Sequence, residues 1–113
     1  MQIIVSGSRL VEFPEIEAYA REKVSKLSKY SSKIENIRVR LISEKSHRNE
    51  QHNSFCEIAL DLPGKNLEVK DSENSMDKAI DKAVERMKRA LVKYKEKSVS
   101  KKHKEGTFAR KKT

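Results

Sequence analysis

Residues 75–97 read SMDKAIDKAVERMKRALVKYKEK, and their spacing predicts one long amphipathic helix. Met76, Ile80, Ala83, Val84, Met87, Leu91 and Tyr94 recur every third or fourth residue, which lines them up along a single buried side. Lys82, Arg86, Arg89, Lys93 and Lys97 fall in a neighbouring sector and point one way. These five cations cover about four turns, roughly 22 Å of helix, a span comparable to several phosphates of a nucleic-acid backbone. Asp77, Asp81 and Glu85 are read as lying on another side of the same helix, which leaves the field of the stripe unpaired on its own face. A solvated face laced with ion pairs is the bland explanation, and the segregation of charge sign counts against it.

Upstream of the helix the periodicity changes from about four to two. Ile37, Val39 and Leu41 alternate with Arg38 and Arg40, as in a strand with one buried and one wet face. Cys56, Ile58, Leu60 and Leu62 alternate in a third strand, and Pro63-Gly64 supplies a tight turn into a fourth that begins around Leu67 and Val69. Residues 71–75 (DSENS) are rich in helix-capping types. At the N-terminus, Gln2 to Ser6 forms a first strand, closed by Gly7-Ser8. Pro14 then opens a helix to about Ser31, with Ile16, Tyr19, Ala20, Val24, Leu27 and Tyr30 on its apolar side. Residues 45–53 (KSHRNEQHN) contain no apolar side chain and are expected to loop through solvent. Residues 98–113 lose periodicity and are expected to form a basic tail without fixed structure.

The order β-α-β-β-β-α predicts an α+β fold: a four-stranded mixed sheet with two long helices packed on one face. Strands one and two should be parallel through a right-handed crossover, and strands two to four an antiparallel meander. The chain of 113 residues suits one domain, placed at residues 1–97, with the tail at 98–113. Hydrophobic residues at 35% against 38% charged leave nothing for a membrane span. The first ten residues lack a basic leader and a cleavage site, and Cys56 is a lone cysteine, so a cytoplasmic protein is expected. Twenty-six Lys and Arg against seventeen Asp and Glu give a net charge of +9, a field that attracts polyanions.

Candidates for chemistry are weak by comparison. His47, His52 and Cys56 lack a fourth metal partner, and Cys56 in phase with Ile58 is most simply a core residue. Phe55 faces away from that row and could stack on a base, yet the aromatic residues are too few for a platform. No nucleophile and base pair, phosphate-binding glycine loop or converging carboxylates stand out. Neither an enzyme nor a cofactor is expected. On the first helix Lys23, Lys26 and Lys29 repeat every third residue and wind around it, with Lys23 inside the apolar sector, where its stem can pack past Tyr19 and Tyr30.

The segment from Met76 to Asp81, continued by Arg86-Met87-Lys88-Arg89-Ala90-Leu91-Val92-Lys93-Tyr94-Lys95, resembles the second-helix signature of the bacterial ribosome hibernation-promoting factors. This family is also called the ribosome-associated translation inhibitors or sigma-54 modulation proteins. The resemblance covers Met1 to about Lys97 and includes the segment from Lys23 to Tyr30, which matches the basic stretch ending the family's first helix. Asp77 replaces a common tyrosine, Arg86 a usual lysine and Ala90 a usual glutamine; Arg86 keeps the charge, and Asp77 suits the helix dipole.

The resemblance implies binding to the small ribosomal subunit through ribosomal RNA, in the channel for mRNA and tRNA, with steric inhibition of translation. The partner would be the small subunit or the 70S ribosome, with no membrane and no small-molecule substrate, and the chain would be monomeric off the ribosome. Long members carry a further domain that pairs ribosomes, and this chain resembles the short form. The residues expected to hold RNA are Lys23, Lys26, Lys29, Lys82, Arg86, Arg89, Lys93 and Lys97. Reversing Arg86 and Arg89 to Glu is expected to weaken binding at nearly unchanged melting temperature.

Two alternatives stay open on sequence alone. A double-stranded RNA-binding module shares the α-β-β-β-α order, although the additional first strand and the Asn74-Ser75-Met76-Asp77 opening of the last helix depart from it. A protein-interaction module modulating a transcription factor would use the exposed sheet face or an edge strand.

Overall fold

The strands place their buried apolar side chains on one face of the sheet, so that face must be covered. The computed structural model describes residues 1–7, 13–43 and 53–111, with side chains through residue 95. Strands β1 (Gln2–Gly7), β2 (Asn36–Ser43), β3 (Ser54–Leu62) and β4 (Lys65–Glu73) form one sheet in the order β1-β2-β3-β4. β1 runs parallel to β2, and β2 to β4 form the antiparallel meander. The register aligns Ile3, Ile37, Leu60 and Leu67 across the sheet, and beside them Val5, Val39, Ile58 and Val69. Two apolar rows therefore share one face. Pro63 and Gly64 join β3 to β4, and Gly64 adopts a φ of 73°, which a side chain would strain.

Helices α1 (Pro14–Ser25) and α2 (Met76–Lys111) cover that face. From α1 come Ala20 and Val24, and from α2 come Ala79, Ile80, Ala83, Met87 and Leu91, all fully buried against Ile37, Val39, Ile58 and Leu60 of the central strands. Met87 and Leu91 have no solvent exposure, and truncating either to Ala should cost roughly 2–5 kcal/mol through lost burial and the cavity left behind. The α+β architecture with both helices on one face is the one the periodicity predicts.

The ends of both helices differ. The first helix, expected to reach Ser31, is α-helical only to Ser25 and then tightens into a 3-10 helix over Lys26–Tyr30. Ser25 Oγ donates to Glu22 O at 2.7 Å and Ser28 Oγ to Ser25 O at 2.9 Å, the back-bonding by which serine competes with regular helical geometry. The second helix was expected to end near Lys97, but its backbone stays helical to Lys111, through a stretch that contains no proline. The predicted loop at residues 45–53 lies almost wholly outside the described residues, as do His47 and His52.

Candidate nucleic-acid interface

The cations of α2 are sorted by what stands on either flank of the helix. On one flank lies α1 with its 3-10 extension. Asp81 accepts a hydrogen bond from the Tyr19 hydroxyl at 2.6 Å and lies 3.5 Å from Lys23 Nζ, while Lys88 Nζ sits 5.8 Å from the centre of the Tyr30 ring. On the other flank lies β4, whose last residues meet the basic stripe. Lys82 Nζ is 3.0 Å from Glu73 Oε2 and donates to Ser72 O at 3.5 Å. Arg86 donates through Nη2 to Asp71 Oδ1 at 3.0 Å, and its Nε lies 2.8 Å from Asp71 Oδ2. That Oδ2 is sealed from solvent and accepts no well-aligned hydrogen bond, so its contact with Nε is an ion pair by distance.

The stripe therefore divides. Lys82 and Arg86 are held by carboxylates of β4, and the expectation that the whole stripe keeps its charge unpaired is corrected for these two. The partners come from a strand, where no helical spacing could reveal them. Arg89 and Lys93, further along α2, are exposed and have no acidic partner among the described residues. The same holds for Lys26 and Lys29 in the 3-10 helix. Lys23 is half-buried at the seam between the helices, its ammonium 5.5 Å from the Tyr19 ring centre and close to Asp81, so packing accounts for its place. The side chain of Lys97 lies outside the described residues. The lysines of α1 and its 3-10 extension and the stripe of α2 thus approach from opposite flanks of α2, both on the helical layer.

Asp71 and Glu73 were read from sequence as capping residues, although the strand runs through them. The available signal was Asp71 standing two residues beyond Val69, in phase with Leu67, on the face that is buried.

The opposite sheet face is nearly self-neutralised. Arg38 pairs with Asp61 at 2.6 Å, and Glu57 stands between Arg40 at 3.7 Å and Lys70 at 3.5 Å. Phe55 projects on this side beneath Lys70, whose Nζ is 5.3 Å from the ring centre. Cys56 is fully buried on the core face beside Asp71, and burial, reinforced by the charges of Asp71 and Glu57, pushes its thiol up to about 12. No group of three or more His, Cys, Asp or Glu side chains is arranged to hold a metal among the described residues. Nor is any helix there long and apolar enough to cross a membrane.

Comparison with known proteins agrees with this geometry. A ribosome hibernation promotion factor of Deinococcus radiodurans is 35% identical over 96 residues, which are 84% of this chain and 50% of that protein. The chain thus spans about half the length of that relative. A ribosome hibernation promoting factor of Azotobacter vinelandii is 27% identical over 99 residues, covering 88% of this chain and 87% of the relative. Two solved structures share the fold. A ribosomal subunit interface protein from Coxiella burnetii superposes with a TM-score of 0.69 at 20% identity, covering 84% of this chain and 98% of the other. The N-terminal domain of Thermus thermophilus Protein Y gives 0.60 at 24% identity, covering 82% and 94%. The family model for sigma 54 modulation protein / S30EA ribosomal protein matches residues 3–99, nearly the whole sheet-and-helix unit, and the chain belongs to that family.

Proposed function

We propose that this protein silences ribosomes by occupying the small subunit, its helical layer laid against ribosomal RNA in the channel used by mRNA and tRNA. The observation that carries the proposal is the set of exposed cations Lys26, Lys29, Arg89 and Lys93, which have no acidic partner among the described residues, on a helical layer where Arg21, Lys23, Lys82, Arg86 and Lys88 are paired. Unpaired cations release condensed counterions from phosphates on binding, whereas self-neutralised ones on the opposite sheet face offer no comparable drive. The names borne by the relatives from Deinococcus and Azotobacter support the same partner.

Inhibition is then a matter of occupancy, without chemistry, and the ribosome remains intact but inactive, as in starved or stationary cells. Residues 1–97 act as the ribosome-binding unit, monomeric until it meets the small subunit or the 70S ribosome, in the cytoplasm. Arg89, Lys93, Lys26 and Lys29 supply the free charge. Lys82 and Arg86 contact RNA from fixed positions, Lys23 and Lys97 add to the same contact, and the basic residues beyond Lys97 add a diffuse attraction.

Co-sedimentation with purified small subunits across a salt series tests this. Binding should fall steeply with salt, and each phosphate contact removed by mutation should shallow the log–log slope by about 0.7 to 0.9. Binding that is indifferent to salt would contradict it.

A further inference from the structure

We infer that Asp71 is a positioning residue for the RNA interface, holding the Arg86 guanidinium so that its unused edge faces a phosphodiester. This rests on the RNA-binding function proposed above. The carboxylate engages Nε and Nη2, with Nε–Oδ2 at 2.8 Å and Nη2–Oδ1 at 3.0 Å. A guanidinium carries five N–H groups in a rigid plane, so occupying that side leaves Nη1 and the second hydrogen of Nη2 as a complete two-pronged edge. Such an edge matches two phosphate oxygens.

Burial is asymmetric within the pair. The Asp71 side chain is 7% exposed and belongs to β4, in register with fully buried Cys56, whereas the Arg86 side chain is 57% exposed on the outer flank of α2. A carboxylate fixed in the sheet thus anchors a cation that still reaches solvent. The rotamer freedom Arg86 would lose on binding RNA is lost already on folding. Arg89 and Lys93, without acidic partners among the described residues, keep that freedom and contribute charge instead of direction.

Charge and positioning predict opposite signs for one substitution. Asp71→Asn removes a negative charge beside the interface, so simple electrostatics predicts tighter binding to RNA. If Asp71 positions Arg86, the same change weakens binding.

The experiment is equilibrium binding of the full chain to purified small ribosomal subunits, with the folded state of each variant checked by melting. Asp71→Asn is expected to weaken binding about fivefold to tenfold in spite of the more favourable net charge. Arg86→Lys, which keeps the charge and loses the rigid fork, should weaken it similarly, and the double variant should bind no worse than Arg86→Lys alone. Asp71→Asn binding as tightly as wild type or more tightly overturns the inference. Should Asp71→Asn fail to fold, Arg86→Lys decides, and wild-type affinity in that variant overturns it. A paired variant, Arg89→Glu with Lys93→Glu, separates the two levels. If it loses binding while Asp71→Asn does not, only the positioning role falls; if it binds like wild type, the RNA-binding function falls with it.

Discussion

Asp71 and Arg86 meet through two contacts, 2.8 and 3.0 Å long, across the seam between the last strand and the long helix. Together with the pair of Lys82 and Glu73, they tie the start of α2 to the sheet edge. Removing Arg86 leaves a carboxylate buried without its partner, which costs more than losing an exposed charge. Arg86→Ala should therefore lower stability by roughly 1–3 kcal/mol in urea or thermal unfolding. Arg89→Ala should stay within about 0.5 kcal/mol of wild type. Equal stabilities would show that the pair holds nothing. It follows that reversing Arg86 to Glu confounds folding with binding, contrary to the expectation from sequence, and that Arg89 and Lys93 are the cleaner positions for charge reversal.

Tyr19 and Asp81 give the helix pair a pH signature. The hydrogen bond to Asp81, with burial and the neighbouring acids adding to it, pushes the phenol of Tyr19 up to about 12. Ionising it would set a phenolate against the Asp81 carboxylate. The folded pKa is raised above the ordinary value of 10.0, so the stability it contributes is fully present below about pH 10 and is lost as pH rises toward 12. Ultraviolet titration should find a tyrosine that ionises near pH 12, and Asp81→Asn should bring it down. A titration unchanged by that substitution would remove Asp81 as the cause.

Cys56 should be inert in the folded protein. Its thiol is fully buried and its pKa is pushed up to about 12, so almost no thiolate exists near neutrality and none is accessible. A chromogenic disulfide reagent should react at the rate of unfolding, and in denaturant the reaction should become fast. Rapid stoichiometric reaction in native buffer would contradict the packing of β3 against the helices.

The fold was legible because hydrophobic period is a local signal. Ile37, Val39 and Leu41 at period two, and Ile80, Ala83, Met87 and Leu91 at helical spacing, each declare a buried face without reference to the rest of the chain. The interface was legible only as a stripe. Whether a cation is free depends on what folding brings beside it, and Asp71 stands 15 residues from Arg86 on a different element. Helical spacing bears only on acids of α2 itself, such as Glu85, which stands four residues before Arg89 and in the structure lies 3.8 Å from Lys88; it carries no information about β4. Lys23 shows the converse. Its place in the apolar sector suggested packing, and the structure sets it against Tyr19 and Asp81.

Charge reversal at the free end of the stripe tests the central claim most directly. Arg89→Glu with Lys93→Glu alters two exposed side chains that have no acidic partner among the described residues, so the melting temperature should barely move. Co-sedimentation of this variant with purified small ribosomal subunits at near-physiological salt should drop by at least roughly tenfold in affinity, with a shallower salt slope. Wild-type co-sedimentation by the folded variant would contradict the account.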